Sequence, residues 1–291
     1  LSDEILASLI RQDQIDILVD LAGHTANNRL LVFARQPAPV QVTYLGYSNT
    51  TGLSTIDYRL TDSYTDPEGV ADKFSAEKLV RLPGSYFCYR PPEVSSPPPN
   101  QRLPVIQNGY FTFGAFNNYA KLSPSILAIW AQLLRAVPDS KLLVKARSLN
   151  HTATQQICQA RFAELGIPAE RLILMGYAPA MTEHLSLYCQ VDLALDTFPY
   201  NGATTTCETL WMGVAVVTLV GETHVARMGL SILSAVGLTE LIAYTNEEYL
   251  TICLKLANNI DDLQNLRASL RERMKASALM DAPMFTRNME E

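Results

Sequence analysis

The chain has 291 residues, 48% of them hydrophobic and 18% charged, with a formal charge of -6, so it is long enough for two cores and too apolar for a disordered chain. The acidic balance opposes a polyanion as the main partner, because nucleic-acid binding normally shows a basic excess to displace counterions. No stretch approaches the roughly 20 apolar residues of a membrane-spanning helix, and no partner membrane is expected.

The first segment, 5–12 (ILASLIRQ), has helical spacing and leads into a β-branched strand, Ile15 to Leu21, that ends in Ala22-Gly23. Further strands are expected at Val40–Tyr44, Asp57–Thr61 and Leu79–Leu82, without long amphipathic helices between them, so residues 1–92 read as an incomplete domain. Residues 93–104 lie in a proline-dense stretch with Ser, Asn and Gln, and mark a linker.

From 105 to 291 the pattern is regular. Strands are expected at Phe111–Phe116, Lys141–Lys145, Leu172–Met175, Val191–Leu195 and Val214–Val220. Helices are expected at Pro124–Val137, Thr154–Leu165, Thr182–Gln190, Thr205–Met212 and His224–Val236, with helical text from Glu247 to about Leu279. This is an α/β doubly wound domain with helices on both faces of a parallel sheet.

Ligands of such sheets bind at the carboxyl ends of strands, which singles out three loops. In Phe116-Asn117-Asn118-Tyr119-Ala120-Lys121 the lysine is placed to neutralise phosphate; the competing reading is an Asn turn with a solvated lysine. In the run Asp196 to Glu208, Gly202 and the threonines offer a diphosphate cradle at a helix start and Glu208 a ribose acceptor; alternatively they only cap the helix. The third loop, Gly176-Tyr177-Ala178-Pro179, leads to Glu183-His184.

Of the other histidines, His24 follows a strand end, whereas His151 and His224 read as peripheral. Five cysteines without C-x-x-C or Cys/His spacing read as reduced thiols of a cytoplasmic protein, and Cys207 as a packing residue. Neither a metal motif nor a nucleophile elbow is present, so chemistry without metal or cofactor is expected.

Five segments together resemble glycosyltransferase family 41, the O-linked N-acetylglucosamine transferases and their plant Spindly relatives. They are Ile17–Asn28 (ILVDLAGHTANN), Arg35–Gly46 (RQPAPVQVTYLG), Thr51–Asp62 (TGLSTIDYRLTD), Phe113–Pro124 (FGAFNNYAKLSP) and Val191–Gly213 (VDLALDTFPYNGATTTCETLWMG). The resemblance implies a GT-B fold of two Rossmann-like domains, the first incomplete here. It also implies inverting, metal-independent transfer of a sugar to Ser or Thr hydroxyls of proteins, with N-acetylglucosamine from UDP-GlcNAc as the first expectation and fucose from GDP-fucose as the alternative.

By the same resemblance Lys121 stabilises the leaving diphosphate and Asn118 contacts the nucleotide. His184 faces the uracil and phosphate region, Ala178 sits beside the base, and Thr204 and Thr205 bind the pyrophosphate. Glu208 stands where animal enzymes place an aspartate on the ribose, Ala203 where they carry a histidine, and Ala178-Pro179-Ala180-Met181 where they carry a base-pocket lysine. Leu45 and Gly46 approach the donor sugar. The family further implies upstream tetratricopeptide repeats that present the acceptor, and the chain reads as cut at both ends, the later cut within a helix at Met284–Glu291. A nucleotide-binding module without transfer activity is the competing class.

Overall fold

The computed structural model describes residues 1–93 and 102–291. Residues 94–101, most of the expected linker, lie outside the described residues. The chain divides into two compact units, one of Leu1–Cys88, Thr223–Val225 and Pro283–Glu291, the other of Tyr89–Glu222 and Ala226–Ala282.

In the first unit α1 (Asp3–Gln12) is capped by Ser2, whose hydroxyl accepts from Ile5 N. Strands β1 (Ile17–Asp20), β2 (Val40–Thr43), β3 (Tyr58–Asp62) and β4 (Lys78–Leu82) form one sheet in that order, all parallel. The short α2 (Leu30–Phe33), unpredicted because four residues carry no period, lies between β1 and β2 and buries Leu30 and Phe33 against Ile56.

The second unit opens with α3 (Pro104–Asn108), also unpredicted because Pro104 reads as the linker's end; it starts helically at that proline and stops at Gly109, φ 74°. There follow β5 (Thr112–Ala115), α4 (Pro124–Ala136), β6 (Lys141–Lys145), α5 (Thr152–Glu164), β7 (Leu172–Met175), α6 (Met181–Leu187), β8 (Leu193–Leu195), α7 (Thr204–Trp211), β9 (Ala215–Leu219), α8 (Met228–Val236) and β10 (Ile242–Ala243). Every expected strand forms within a residue or two of its expected bounds. The sheet order is β10-β9-β8-β5-β6-β7, parallel throughout, so the winding reverses between β5 and β8.

Ser123 caps α4 and Pro124 opens it, and the helix buries Ile126, Leu127, Trp130, Leu133 and Leu134. One expectation is resolved further and one is corrected. The helical text from Glu247 is two helices, α9 (Asn246–Asn258) and α10 (Ile260–Lys275), because Asn259 leaves helical geometry (φ -124°, ψ 81°) and caps the next helix by accepting from Asp262 N. The helix expected from His224 begins at Met228, because residues 224–226 form a 3-10 turn.

The last helix, α11 (Ala282–Glu290), belongs with its residues from Pro283 onward to the first unit, where Phe285 packs 6.2 Å from the Tyr44 ring.

Candidate functional site

The reversal between β5 and β8 is the place where a parallel sheet leaves a crevice at its carboxyl edge. The loop after β5 carries Asn117, Asn118 and Lys121, and the loop after β8 carries Asp196 to Ala203. Close approach of the two strands is enabled by Gly114, where a Cβ would meet the Val191 side chain at 2.5 Å.

Asp196 organises both loops. Fully buried, it accepts from Thr197 N at 2.9 Å, Gly202 N at 2.7 Å, Thr218 Oγ1 at 2.8 Å and Asn117 Nδ2 at 3.4 Å. Burial raises its pKa to about 6 against the pull of those donors and of Lys121. Gly202 fits because any Cβ there would stand 2.7 Å from Thr206 Oγ1 and 3.0 Å from Asn117 Oδ1. Asn201 is held by its side chain, which donates to the Thr197 and Leu219 carbonyls at 2.9 and 3.3 Å.

Lys121 reaches this loop: its ammonium donates to the Asn201 carbonyl at 2.7 Å and stands 3.9 Å from the centre of the Tyr200 ring. Burial lowers its pKa while Asp196 acts the other way. Three residues after Asn201, α7 begins. Ala203 stands at its N-cap with no side-chain hydrogen bond, Thr204 is exposed and Thr205 half-buried. The ammonium and the helix start form an electropositive corner suited to a diphosphate. Asn118 is exposed and caps a 3-10 turn by accepting from Ala120 N at 3.1 Å, so the turn reading describes its side-chain oxygen.

One turn along α7, Glu208 is buried and its Oε2 lies 3.0 Å from His184 Nε2 and 3.4 Å from Tyr188 OH. Phe116 and Tyr188 flank the imidazole, with ring centres 6.3 and 5.5 Å away. On the other side of His184, Lys145 Nζ lies 2.6 Å from Nδ1. Lys145 was not among the sequence candidates, although its place as the last residue of a parallel strand is a signal of the kind used for the loops. Cys207 is buried and its thiol is pushed up by burial and by Glu208, which makes it a packing residue.

Ala178 is buried on the loop after β7, next to exposed Tyr177, whose ring lies 5.8 Å from the Arg147 guanidinium carbon. That loop is pinned by Asn150, whose Oδ1 accepts from Tyr177 N at 2.9 Å. The structure thus joins Lys121 to Asn201, three residues before α7, and His184 to Glu208, with Ala178 at another strand end.

In the first unit, Leu45 and Gly46 follow β2. Leu45 takes φ 63° and is exposed, and a Cβ on Gly46 would lie 1.9 Å from the Leu21 carbonyl oxygen. His24 Nε2 lies 2.8 Å from the Thr51 carbonyl oxygen. The peripheral reading of His224 is corrected. It is buried in this unit, with Nδ1 2.8 Å from Asp66 Oδ2 and Nε2 2.9 Å from Tyr86 OH, and Arg59 pairs with Asp66 at 3.2 Å. Its partners are 138 and more residues distant in sequence, so no local pattern announces them.

Two parallel-sheet, Rossmann-like α/β units, the second with its winding reversal between β5 and β8, define a GT-B glycosyltransferase fold. The same fold occurs in WaaG, a glycosyltransferase involved in lipopolysaccharide biosynthesis (TM-score 0.53, 13% identity, 99% of this chain and 94% of that one). The glycosyl transferase family 41 model matches residues 3–90 and 102–289, and the chain belongs to this family.

It is similar to a solved variant of the Thermobaculum terrenum O-GlcNAc transferase (TM-score 0.91, 39% identity), covering 100% of this chain and 54% of that one. It is also 47% identical to the rice (Oryza sativa subsp. japonica) probable UDP-N-acetylglucosamine--peptide N-acetylglucosaminyltransferase SPINDLY over 291 residues, all of this chain and 31% of that protein. The chain therefore spans about a third of the length of the curated plant relatives it matches.

Among the described residues no helix is long and apolar enough to cross a membrane, and no three His, Cys, Asp or Glu side chains are grouped to hold a metal ion.

Proposed function

We propose that the chain carries the nucleotide-sugar half of a protein O-GlcNAc transferase, which moves N-acetylglucosamine from UDP-GlcNAc to Ser or Thr hydroxyls with inversion and without a metal. The names of the rice and Thermobaculum relatives support the donor and the reaction class. The observation that carries the proposal is the Lys121 ammonium held beside the uncapped start of α7 at the β5/β8 reversal.

As the acceptor oxygen bonds to the anomeric carbon, the bond from that carbon to the diphosphate breaks and negative charge collects on the departing oxygen. Lys121, the N–H groups of Thr204 and Thr205 and the Thr205 hydroxyl are placed for that charge, the kind of stabilisation worth most in a site that excludes water. Asn118 and Ala203 flank the phosphates, Glu208 accepts from the ribose, and His184 and Ala178 border the base. Leu45 and Gly46 serve the sugar. Tetratricopeptide repeats elsewhere in the full protein present the acceptor, and the five free cysteines fit a cytoplasmic setting.

A second reading, fucose from GDP-fucose, is favoured by the base-side loop, which offers Ala178, Pro179, Ala180 and Met181 and no lysine. Calorimetric titration of the chain with UDP, GDP and their sugar conjugates, followed by transfer assays in the full-length protein, tests both. UDP binding weakened by Thr205→Val, with Lys121→Met lowering turnover by roughly 10²–10³ and donor affinity much less, supports the first reading. Preference for GDP moves the assignment to fucosyl transfer, and binding of neither overturns the site.

A further inference from the structure

Lys145 has no place in the proposed chemistry, yet it is buried at the carboxyl end of β6 and points its charge at an imidazole instead of water. Burial lowers its pKa, while Glu208 and Glu183 favour the ammonium. An ammonium has three donors and no lone pair, so the His184 Nδ1 it meets at 2.6 Å must accept. The imidazole proton then sits on Nε2, the nitrogen 3.0 Å from Glu208 Oε2, where it can donate. Tyr188 OH adds a second donor to the same Glu208 oxygen at 3.4 Å.

We propose that Lys145 is a positioning residue of the nucleotide site: through His184 it fixes the imidazole as the Nε2–H tautomer, which holds Glu208 Oε2 and presents Oε1 to the ribose hydroxyls of a nucleoside diphosphate. The inference rests on the proposed function for its ligand but not for the Lys145–His184–Glu208 relay, which exists in the free protein. The relay joins the end of β6 to α6 and α7. A ribose hydroxyl that meets a misoriented carboxylate loses its partner, whereas the phosphates, held by Lys121 and the start of α7, do not.

The test uses the chain itself and two readouts. Nitrogen-detected imidazole spectra at about pH 8.5, with His184 assigned through His184→Gln, report the tautomer without any nucleotide. The expected result is one Nε2–H form in the wild type and a mixture in Lys145→Met; an unchanged His184 signal in that variant overturns the proposal.

Titration with UDP and 2′-deoxy-UDP then reads the ribose. The wild type is expected to prefer UDP roughly tenfold, Lys145→Met to lose that preference while keeping its 2′-deoxy-UDP affinity, and Lys145→Arg to recover part of it. Equal weakening of both nucleotides would make Lys145 a general source of charge and overturn the positioning role. If the wild type binds neither nucleotide, the proposed function and the ribose step fall together, and the spectra still decide the relay.

Discussion

The Lys121 ammonium and the Asn201 carbonyl are joined at 2.7 Å across 80 residues of sequence, so the cation after β5 is held by the loop after β8. That loop depends on the Asn201 side chain, which is fully buried and bonded to the Thr197 and Leu219 carbonyls. Asn201→Ala leaves those acceptors unpaired and is expected to cost about 1–3 kcal/mol of stability. UDP affinity should fall with it, because the Asn201 carbonyl that Lys121 bonds to is no longer held in place by the side chain. Thermal denaturation and titration check this; a variant with unchanged values in both would show that the loop holds itself.

Asp196 makes the second unit sensitive to pH. Its folded pKa of about 6 lies above the ordinary 3.8, so the native state holds the proton more tightly. Stability from this group is therefore full below about pH 4 and is lost as pH rises through about 6. The loss is on the order of 2–3 kcal/mol. Denaturant titrations at pH 4.5 and pH 7, values within and just above that window, should show Asp196→Asn flattening the pH dependence. A variant that follows the wild-type slope would refute the assignment.

Asp66 has the opposite sign. Burial pushes its pKa up, but the His224 hydrogen bond and charge, with Arg59, hold it at about 2, below the ordinary 3.8. Its contribution of about 2 kcal/mol is present above pH 4 and is lost as pH falls toward 2. Acid unfolding of the first unit is expected to lose that share in Asp66→Asn, measured by a fluorescence probe placed in that unit. An identical acid profile would separate Asp66 from the stability of the unit.

Gly46 is constrained by backbone, not by a flexible side chain, since its Cβ would sit 1.9 Å from the Leu21 carbonyl oxygen. Gly46→Ala must move the loop after β1 or the loop after β2, at a cost of about 1–3 kcal/mol. Gly52→Ala is the comparison for backbone strain without contact, since its φ of 73° strains any side chain but nothing lies within 4 Å of its Cβ. Denaturant midpoints of the two variants check this; a Gly46→Ala loss no larger than the control's would remove the steric argument.

Sequence patterning alone determined the parallel alternation, the strand-end loops and the runs around Lys121 and Thr204 to Glu208. Each is local: a strand's apolar run, a Ser-Pro helix start or a Gly-Thr turn is written within a dozen residues. The tertiary structure alone decided that Lys121 bonds to Asn201, that Lys145 reaches His184 across 39 residues and that His224 is buried with Asp66. It also decided that Phe285 packs beside Tyr44. These pairings arise from the order of parallel strands and from burying charges together once water is excluded, and neither has a period or a spacing in the chain.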